Sequence, residues 1–588
     1  MGISTGTIPG RPEPGGARGL LDHQAGLPGG DATRHLCAAA HLDRAFRQAA
    51  IRELVEEQHR VPAASPGVDM AAVLAACLRA RLEGAVAGGL IILVTVVGLA
   101  AAPADVGAAL ALVAFVRATT WAFGPFLGRG RLAGRSMWRL LIRRGLAAAG
   151  LSALVVTLIV FALLRAVDQG LSPLGSGDSG LGSGLGQPSG GSGQDLSPAG
   201  VLAFLLVWIA IGTALRYRRH QHLAALHQPD GPPVANPPAA LAPLFARLRE
   251  RPAEAETLYS DFSPFVGAGI RLESEGWSFP IELRPNAQHR GRGTLPEALE
   301  VPTLHRGIAA GLAQLSQGEL YQGDMLHRLT IRGRAFRAGR RREAPEEWYG
   351  ALSVSEPETG ARTLAPAWAD LLDLGSHELI RHYLEVRTEL WEGQLVAALF
   401  MRANLQGGLL QVEGLAFVLP PIAERYRVVD DIMPPRPLQD GGWALWRAVR
   451  SFALDVATAV VEPWAVLATA VRTASRRRWY LRMRELGRPV DHSPRVSLRE
   501  LGGEPYYQQL FQELDVRRFF TSVRERAFTA VLGELRRAGY DTSEFEQAAQ
   551  LVVAGGMNIS TGIQNINSPN SGNQAVGPSN NLRLTKLS

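Results

Sequence analysis

Residues 84–102 read GAVAGGLIILVTVVGLAAA, from Gly84 to Ala102, nineteen consecutive residues without a charged side chain. A helix of that length rises about 30 Å, the thickness of the hydrocarbon core of a bilayer. Pro103 and Asp105 then mark a tight turn, and three further runs follow. Val106–Leu127 carries Arg117 near its middle, whereas Leu146–Leu164 and Ala199–Leu215 are uncharged. One buried helix of a soluble protein can imitate such a run. Four in one chain predict four transmembrane helices, at 84–102, 106–127, 146–164 and 199–215, within a transmembrane region spanning 84–217.

Loop charge sets the expected orientation, because arginine and lysine stay on the cytoplasmic side. Arg79 and Arg81 precede the first run, six arginines from Arg129 to Arg144 fill the second connection, and Arg216, Arg218 and Arg219 follow the fourth run. The turn after the first run and the loop 169–198 hold only Asp105, Asp178 and Asp195. Arg165 alone departs from the pattern. The chain is expected as a multi-pass protein of a bacterial plasma membrane, with both termini cytoplasmic. The outer loop is Gly/Ser-rich, a random-coil tether of about 30 Å rms span.

Arg117 is an intramembrane charge and so a site candidate. Its insertion costs about 2.5–3.5 kcal/mol, and the neighbouring Leu110, Leu112, Val113, Phe115 and Val116 return about 1.5–3 kcal/mol, so the span survives. No acidic residue in the other spans answers it. Snorkelling toward headgroups is its expected role. Gly84 and Gly88 form a small-xxx-small pair of the kind that lets helices approach closely.

The 588-residue chain as a whole carries a formal charge of +7, its basic residues nearly all arginine, with Lys586 the sole lysine. That bias fits a GC-rich bacterial genome. Residues 1–31 are Gly- and Pro-rich, read as disordered, and contain no apolar core of a signal peptide. A cytoplasmic helical segment follows at 32–82, with Leu42, Phe46, Ala50 and Leu54 along one face. His35, Cys37, His41 and Asp43 resemble metal ligands on paper, but only Cys37 and His41 share a face, so packing is expected and no metal. Two cysteines make no disulfide framework.

A Pro-rich linker at 229–243 opens a cytoplasmic α+β domain at 244–435. Its expected strands lie at Gly276–Leu283, Leu379–Glu389, Gln394–Ala403 and Leu409–Leu419, the last two joined as a hairpin by Asn404–Gly408, with a helix at Leu295–Gln317. Val266–Ile270 is Gly-rich but lacks the lysine of a phosphate-binding loop. His289, His305, His327, His377 and His382 are scattered without metalloprotease spacing, and no nucleophile elbow occurs. No catalytic residue and no cofactor is therefore expected.

Residues 443–500 combine Trp443, Trp446 and Trp464 with the basic run Arg476, Arg477, Arg478 and Trp479. Two carboxylates, Asp455 and Glu462, argue against a full span, so an amphipathic membrane-interface segment kinked at Pro463 is expected. Anionic headgroups suit it better as partners than nucleic acid does. A helical segment at 501–556 has capping-box spacing at Ser543 and Glu546. The fold class is thus an α-helical membrane protein with four transmembrane helices, a cytoplasmic α+β domain and a C-terminal helical region.

The segments TRHLCAAAHLDRAFRQAAIREL from Thr33, YSDFSPFVGAGIRLESEGWSFPIEL from Tyr259 and IRHYLEVRTELWEGQLVAALFMRANLQGGLLQVEGLAFVLPPIAERYRVVD from Ile380 resemble a family of actinobacterial, Streptomyces-type polytopic membrane proteins. The resemblance implies origin and architecture and transfers no catalytic residue. The Asn/Gly-rich tail 557–588 holds two β-prone pieces around Ile563, Gln564 and Ile566 and around Gln574, Val576 and Gly577. Side-chain amides of that kind ladder along stacked strands. The pieces are similar to RHIM-like and bacterial amyloid signalling motifs, with Asn573 and Pro569 as departures; a disordered tail is the plain alternative. Together these features lead to an expected membrane-anchored scaffold or signalling protein that binds cytoplasmic partners and self-associates as a homo-oligomer. A transporter or channel of oligomerised four-helix subunits is the alternative.

Overall fold

A computed structural model of the chain describes residues 30–127, 197–226, 239–249, 255–317, 326, 328–355, 362–374, 378–432 and 437–553. The expected span at 146–164, the arginine-rich connection before it, nearly all of the loop 169–198 and the whole tail 557–588 lie outside these residues. So do residues 1–29 and most of the Pro-rich linker.

In chain order the helices are α1 (Gly30–Leu42), α2 (Arg44–Ile51), α3 (Met70–Ala101), α4 (Pro103–Leu127), α5 (Pro198–Ala225), α6 (Val301–Gln317), α7 (Pro366–Leu374), α8 (Pro437–Thr458), α9 (Val461–Glu485), α10 (Leu510–Ala538) and α11 (Ser543–Val553). The strands are β1 (Glu256–Tyr259), β2 (Ile270–Arg271), β3 (Trp277–Glu282), β4 (Thr330–Ala338), β5 (Arg340–Arg341), β6 (Ser353–Ser355), β7 (Arg362–Leu364), β8 (Ile380–Leu390), β9 (Leu395–Gln406), β10 (Leu409–Leu419) and β11 (Val490–Asp491). The chain divides into two compact units. One gathers residues up to Leu78, Ala225–Ile432 and Val471 onward; the other gathers Arg79–Ala224 and Met433–Ala470.

The first unit is built on a seven-stranded sheet of order β1-β4-β8-β9-β10-β2, with β3 also on β10. All pairings are antiparallel except β1 with β4. The β9–β10 hairpin turns at Gly407 and Gly408, whose φ values of 60° and 80° are the left-handed pair that a two-residue turn requires. On one face α6, α10 and α11 cover Leu384, Val386, Leu399 and Val412. Residues 501–553, expected as a separate helical region, therefore complete this core. Phe519 and Phe520 on α10 are 1% and 0% exposed, and Trp277 stacks edge-on against Phe528 at 5.3 Å. The opposite face carries an aromatic cluster of Phe265, Phe336, Tyr383, Phe400 and Phe417.

Strand β4 has no counterpart among the expected strands. Its sequence, TIRGRAFRA, alternates arginines with small or apolar residues. Arg334 donates to Glu385 at 3.1 Å and to Thr257 at 2.9 Å, and Arg337 donates to Glu256 at 3.0 Å. Charge pairing thus buries the arginines of this strand beside Ala335 and Phe336, which are 0% and 2% exposed. Arg332 and Arg387 each stand 4.0 Å from Glu385 as well. Burial pushes the Glu385 carboxyl up, and these guanidinium charges, Arg334 foremost, bring it below its ordinary value.

In the second unit, two helices among the described residues are long and apolar enough to cross a membrane: α3 and α5, with 28% and 11% of their most apolar stretches buried. That exposure separates them from core helices of a soluble domain. The count is a correction to the expected four, since the third expected span is outside the described residues; α4 is a helix over the second, with Arg117 exposed on it. Helices α3 and α5 run antiparallel and are tied at both ends. At one end Ser197 N–H donates to Asp105, in the first turn of α4 just beyond α3, at 2.7 Å, and at the other His222 meets Glu83 of α3 at 2.6 Å.

Helices α8 and α9 break at Ala459–Val460 with a bend of 40°. The expected kink at Pro463 is displaced, because Pro463 falls in the first turn of α9, where its missing N–H costs no helical hydrogen bond.

Candidate functional site

The described residues contain one group of three metal-ligating side chains with donor atoms within 4.8 Å of one another: His305, Asp373 and His382. Each comes from a different element. His305 projects from α6 toward the sheet, Asp373 lies in the last turn of α7, and His382 stands near the start of β8, in phase with the core residues Leu384 and Val386. The three side chains are 4–5% exposed.

Asp373 bridges the two rings. Its Oδ2 lies 2.7 Å from His305 Nδ1 and its Oδ1 lies 2.8 Å from His382 Nδ1. The rings meet edge to face at 5.4 Å. Strands β8 and β9 pair only from Leu384↔Met401 onward. Beyond that point the Ala403 N–H donates to His305 Nε2 at 3.0 Å instead. An imidazole accepting at Nε2 carries its proton on Nδ1, so His305 donates to Asp373. His382 also donates from Nδ1, which leaves its Nε2 buried with no hydrogen-bond partner among the described residues. Gly333 on β4 keeps that corner open: a Cβ there would stand 2.7 Å from His382 Nε2.

Burial pushes the Asp373 carboxyl up, and the two imidazole hydrogen bonds outweigh it, leaving the group below its ordinary value. Two imidazoles and a carboxylate are a donor set that zinc or iron accepts. The arrangement does not fit a metal bound through both Nδ1 atoms. Coordination at His305 Nδ1 would move its proton to Nε2, facing the Ala403 N–H at 3.0 Å. The geometry is that of a carboxylate held by two protonated nitrogens, a polar pin joining α6, α7, β8 and β9.

The sequence separates His305 from Asp373 by 68 positions and offers no motif. One signal was available: His382 alternates in register with Leu384 and Val386, which marks a buried polar position.

Other candidates are placed as follows. His35 pairs with Asp430 at 2.8 Å, Cys37 is buried, and Asp43 caps α2 and accepts from Tyr426 at 2.7 Å. His289 contacts Asn286 at 2.9 Å, while His327 and His377 are outside the described residues. The Gly-rich loop Val266–Ile270 does form an anion nest, and Glu500 fills it: the Gly267 and Gly269 amides donate to its Oε1 at 2.9 and 3.0 Å. Trp443, Trp446 and Trp464 belong to the second unit and are 43%, 57% and 64% exposed. Arg476, Arg477, Arg478 and Trp479 belong to the first; Arg476 lies 3.8 Å from Glu57 and Trp479 meets His59 edge-on at 5.8 Å. The expected single segment 443–500 is therefore divided between the two units. Its end is not a free basic surface, because Arg499 is 1% exposed and donates to the Gly393 and Gln394 carbonyls. Ile563, Gln564, Ile566, Gln574, Val576 and Gly577 lie outside the described residues.

Residues 276–567 match the family model of the AbeC-like domain. The AbeC-like region begins at β3 and contains the whole His305–Asp373–His382 cluster together with α8 to α11. No curated protein and no solved structure matches the chain.

Proposed function

We propose that the chain is a membrane-anchored scaffold or signalling protein whose first unit is a binding platform on one side of a bilayer. The supporting observation is the make-up of that unit. Chain from before α3, from after α5 and from Val471 within α9 onward folds together in it: His35 contacts Asp430, Arg472 donates to Glu56 at 2.9 Å, and β11 pairs with β5. Three segments that pack on one another share one side of a membrane, so the apolar helices between them cross an even number of times. Helices α3 and α5 alone satisfy this, as do four spans that include α4 and residues 146–164.

In this reading loop arginines hold the platform and both termini in the bacterial cytoplasm. Arg477 and Arg478, exposed beside Trp479, contact anionic headgroups. The tail from Met557 provides self-association into a homo-oligomer.

The test is cross-linking of the full chain in membranes, beside a chain ended after Val553. Higher oligomers that vanish on truncation support the reading. Monomers in both, with solute-specific flux through reconstituted vesicles, favour the transporter alternative.

A further inference from the structure

Helices α8 and α9 present an inverted surface. Ala444, Ala448, Ser451, Asp455, Ala459 and Glu462 recur every three or four residues and form the face turned to the other helices of the second unit. Ala444, Ala448 and Ala459 are 0%, 1% and 8% exposed, whereas Leu445, Val449, Leu454, Val460 and Leu467 are 43–57% exposed. A helix in water buries its large apolar side chains and exposes small or polar ones. Apart from Arg447 and Arg450, which are exposed and lie over the Trp443 and Trp446 rings at 4.3 and 5.5 Å, this pair does the reverse, the arrangement of helices whose outer face meets lipid.

The carboxylates that count against membrane burial lie on the inner face. Asp455 pairs with Arg216 of α5 at 2.8 Å. Glu462 packs on Gly84, and at Gly88 a Cβ would stand 2.2 Å from the Ala459 carbonyl oxygen. Contacts along the pair trace a shallow descent and return. Asp440 meets His220 at 3.2 Å, Ala453 and Ala459 join the cluster of Ile91, Val113 and Trp208, and Thr469 meets Arg81 at 2.7 Å. From Gly84, where the uncharged run begins, to Ile91 is a rise of about 10 Å, a third of the hydrocarbon thickness.

We infer that α8 and the first half of α9 form a monotopic, bent membrane insertion that dips into one leaflet and returns to the side it came from, with its large apolar side chains against the acyl chains of that leaflet. The inference rests on the membrane reading above. A single crossing is excluded because residues up to Ile432 and from Val471 belong to the same unit. The bend of 40° is too small for a hairpin that turns back sharply, and it suits two arms tilted about 20° from the membrane plane. An insertion of about 5–10 Å is the depth at which interfacial helices settle.

The experiment uses the full chain with Cys37 and Cys77 replaced by alanine, in sealed vesicles of phosphatidylcholine and phosphatidylglycerol. Spin labels are placed singly at Leu454, Val460 and Trp464, with Leu93 on α3 and Leu206 on α5 as references. Collision with oxygen and with a water-soluble nickel chelate gives each depth. The expected result is oxygen-rich, chelate-protected labels at all three positions, deepest at Val460 and shallower than Leu93. Cysteines at Gly441 and Arg478 should react with an impermeant thiol reagent from the same side. Chelate-accessible labels at 454, 460 and 464 beside protected references would overturn the insertion and leave the membrane reading intact. Labelling of 441 and 478 from opposite sides would replace it by a crossing helix. Water-exposed references would overturn the membrane reading itself.

Discussion

The two units solve the same packing problem in opposite ways. In the first, the largest side chains are innermost: Trp277, Phe279, Phe519, Phe520 and Phe545 are each 2% exposed or less. In the second, Ala109, Ala453 and Ala459 line the helix contacts around a buried Trp208, while Leu93, Val96, Leu206 and Trp464 point outward at 56–64% exposure. In the proposed membrane setting the difference matches the solvent that each surface meets. Water drives large apolar groups inward, whereas acyl chains are as apolar as leucine and leave close backbone approach as the source of helix association.

The largest effect that bears on this contrast is Phe520→Ala. Truncating a fully buried aromatic in the first unit should cost about 3–5 kcal/mol. The smaller truncation Leu206→Ala, at a side chain 56% exposed, should cost under about 1 kcal/mol, because in the proposed membrane setting that side chain meets lipid or detergent in both states being compared. Denaturant titration of the two variants in the same detergent measures the pair. Equal losses would erase the distinction between the units.

Next comes Asp373→Asn. An amide oxygen can accept from one imidazole but replaces no charge, and hydrogen bonds to a charged partner contribute about 1.5–3 kcal/mol. The sign with pH follows from a carboxyl held below its ordinary value of 3.8. Its stabilisation is complete above the unfolded value and is lost as pH falls through the folded one. The variant should therefore be weaker at neutral pH and converge with the parent in strong acid. A gap that persists unchanged below the folded value would show that packing, not charge, holds the cluster. Zinc at micromolar excess should not raise the melting temperature of the parent.

In the second unit Gly88→Val probes close approach directly, since even a Cβ would meet the Ala459 carbonyl oxygen at 2.2 Å. Overpacking should cost about 1–3 kcal/mol. Gly89→Val next to it, with nothing within 4 Å of its Cβ, should be near neutral. Comparing the two thermal midpoints in detergent isolates helix packing from helix propensity.

What was legible in the sequence follows the same divide. Apolar strands declare themselves: β10 lies at Leu409–Leu419 as its alternation predicts, and the hairpin turn falls on Gly407 and Gly408. Strand β4 does not, because Arg332, Arg334 and Arg337 meet acidic partners distant in sequence. The polar cluster was hidden for that reason too: His305, Asp373 and His382 gain meaning only when two helices and a strand converge. Asp455 and Glu462 argued for a helix on the membrane surface, although their direction on the helix, toward Arg216 and Gly84, is what fixes their cost. Composition tells how much charge a segment carries, and only packing tells which way it faces.

The smallest expected effect concerns the edge of the first unit, where His59 stacks on Tyr480 at 5.4 Å and lies edge-on to Trp479. Burial, followed by the Arg60 charge, pushes its imidazole down to about 4. A histidine whose folded value lies below the unfolded 6.5 must stay neutral in the folded state, so it contributes stability that is whole above 6.5 and lost progressively down to about 4. Carboxylates such as Asp373 titrate below that window, which separates the two contributions. His59→Gln keeps a polar side chain there but cannot titrate. It should flatten the fall of the thermal midpoint between pH 6.5 and 4 while leaving the steeper loss at lower pH in place. An unchanged slope in the upper window would mean that His59 takes up its proton in the folded protein as readily as in the unfolded chain, with the aromatic stack opening to water.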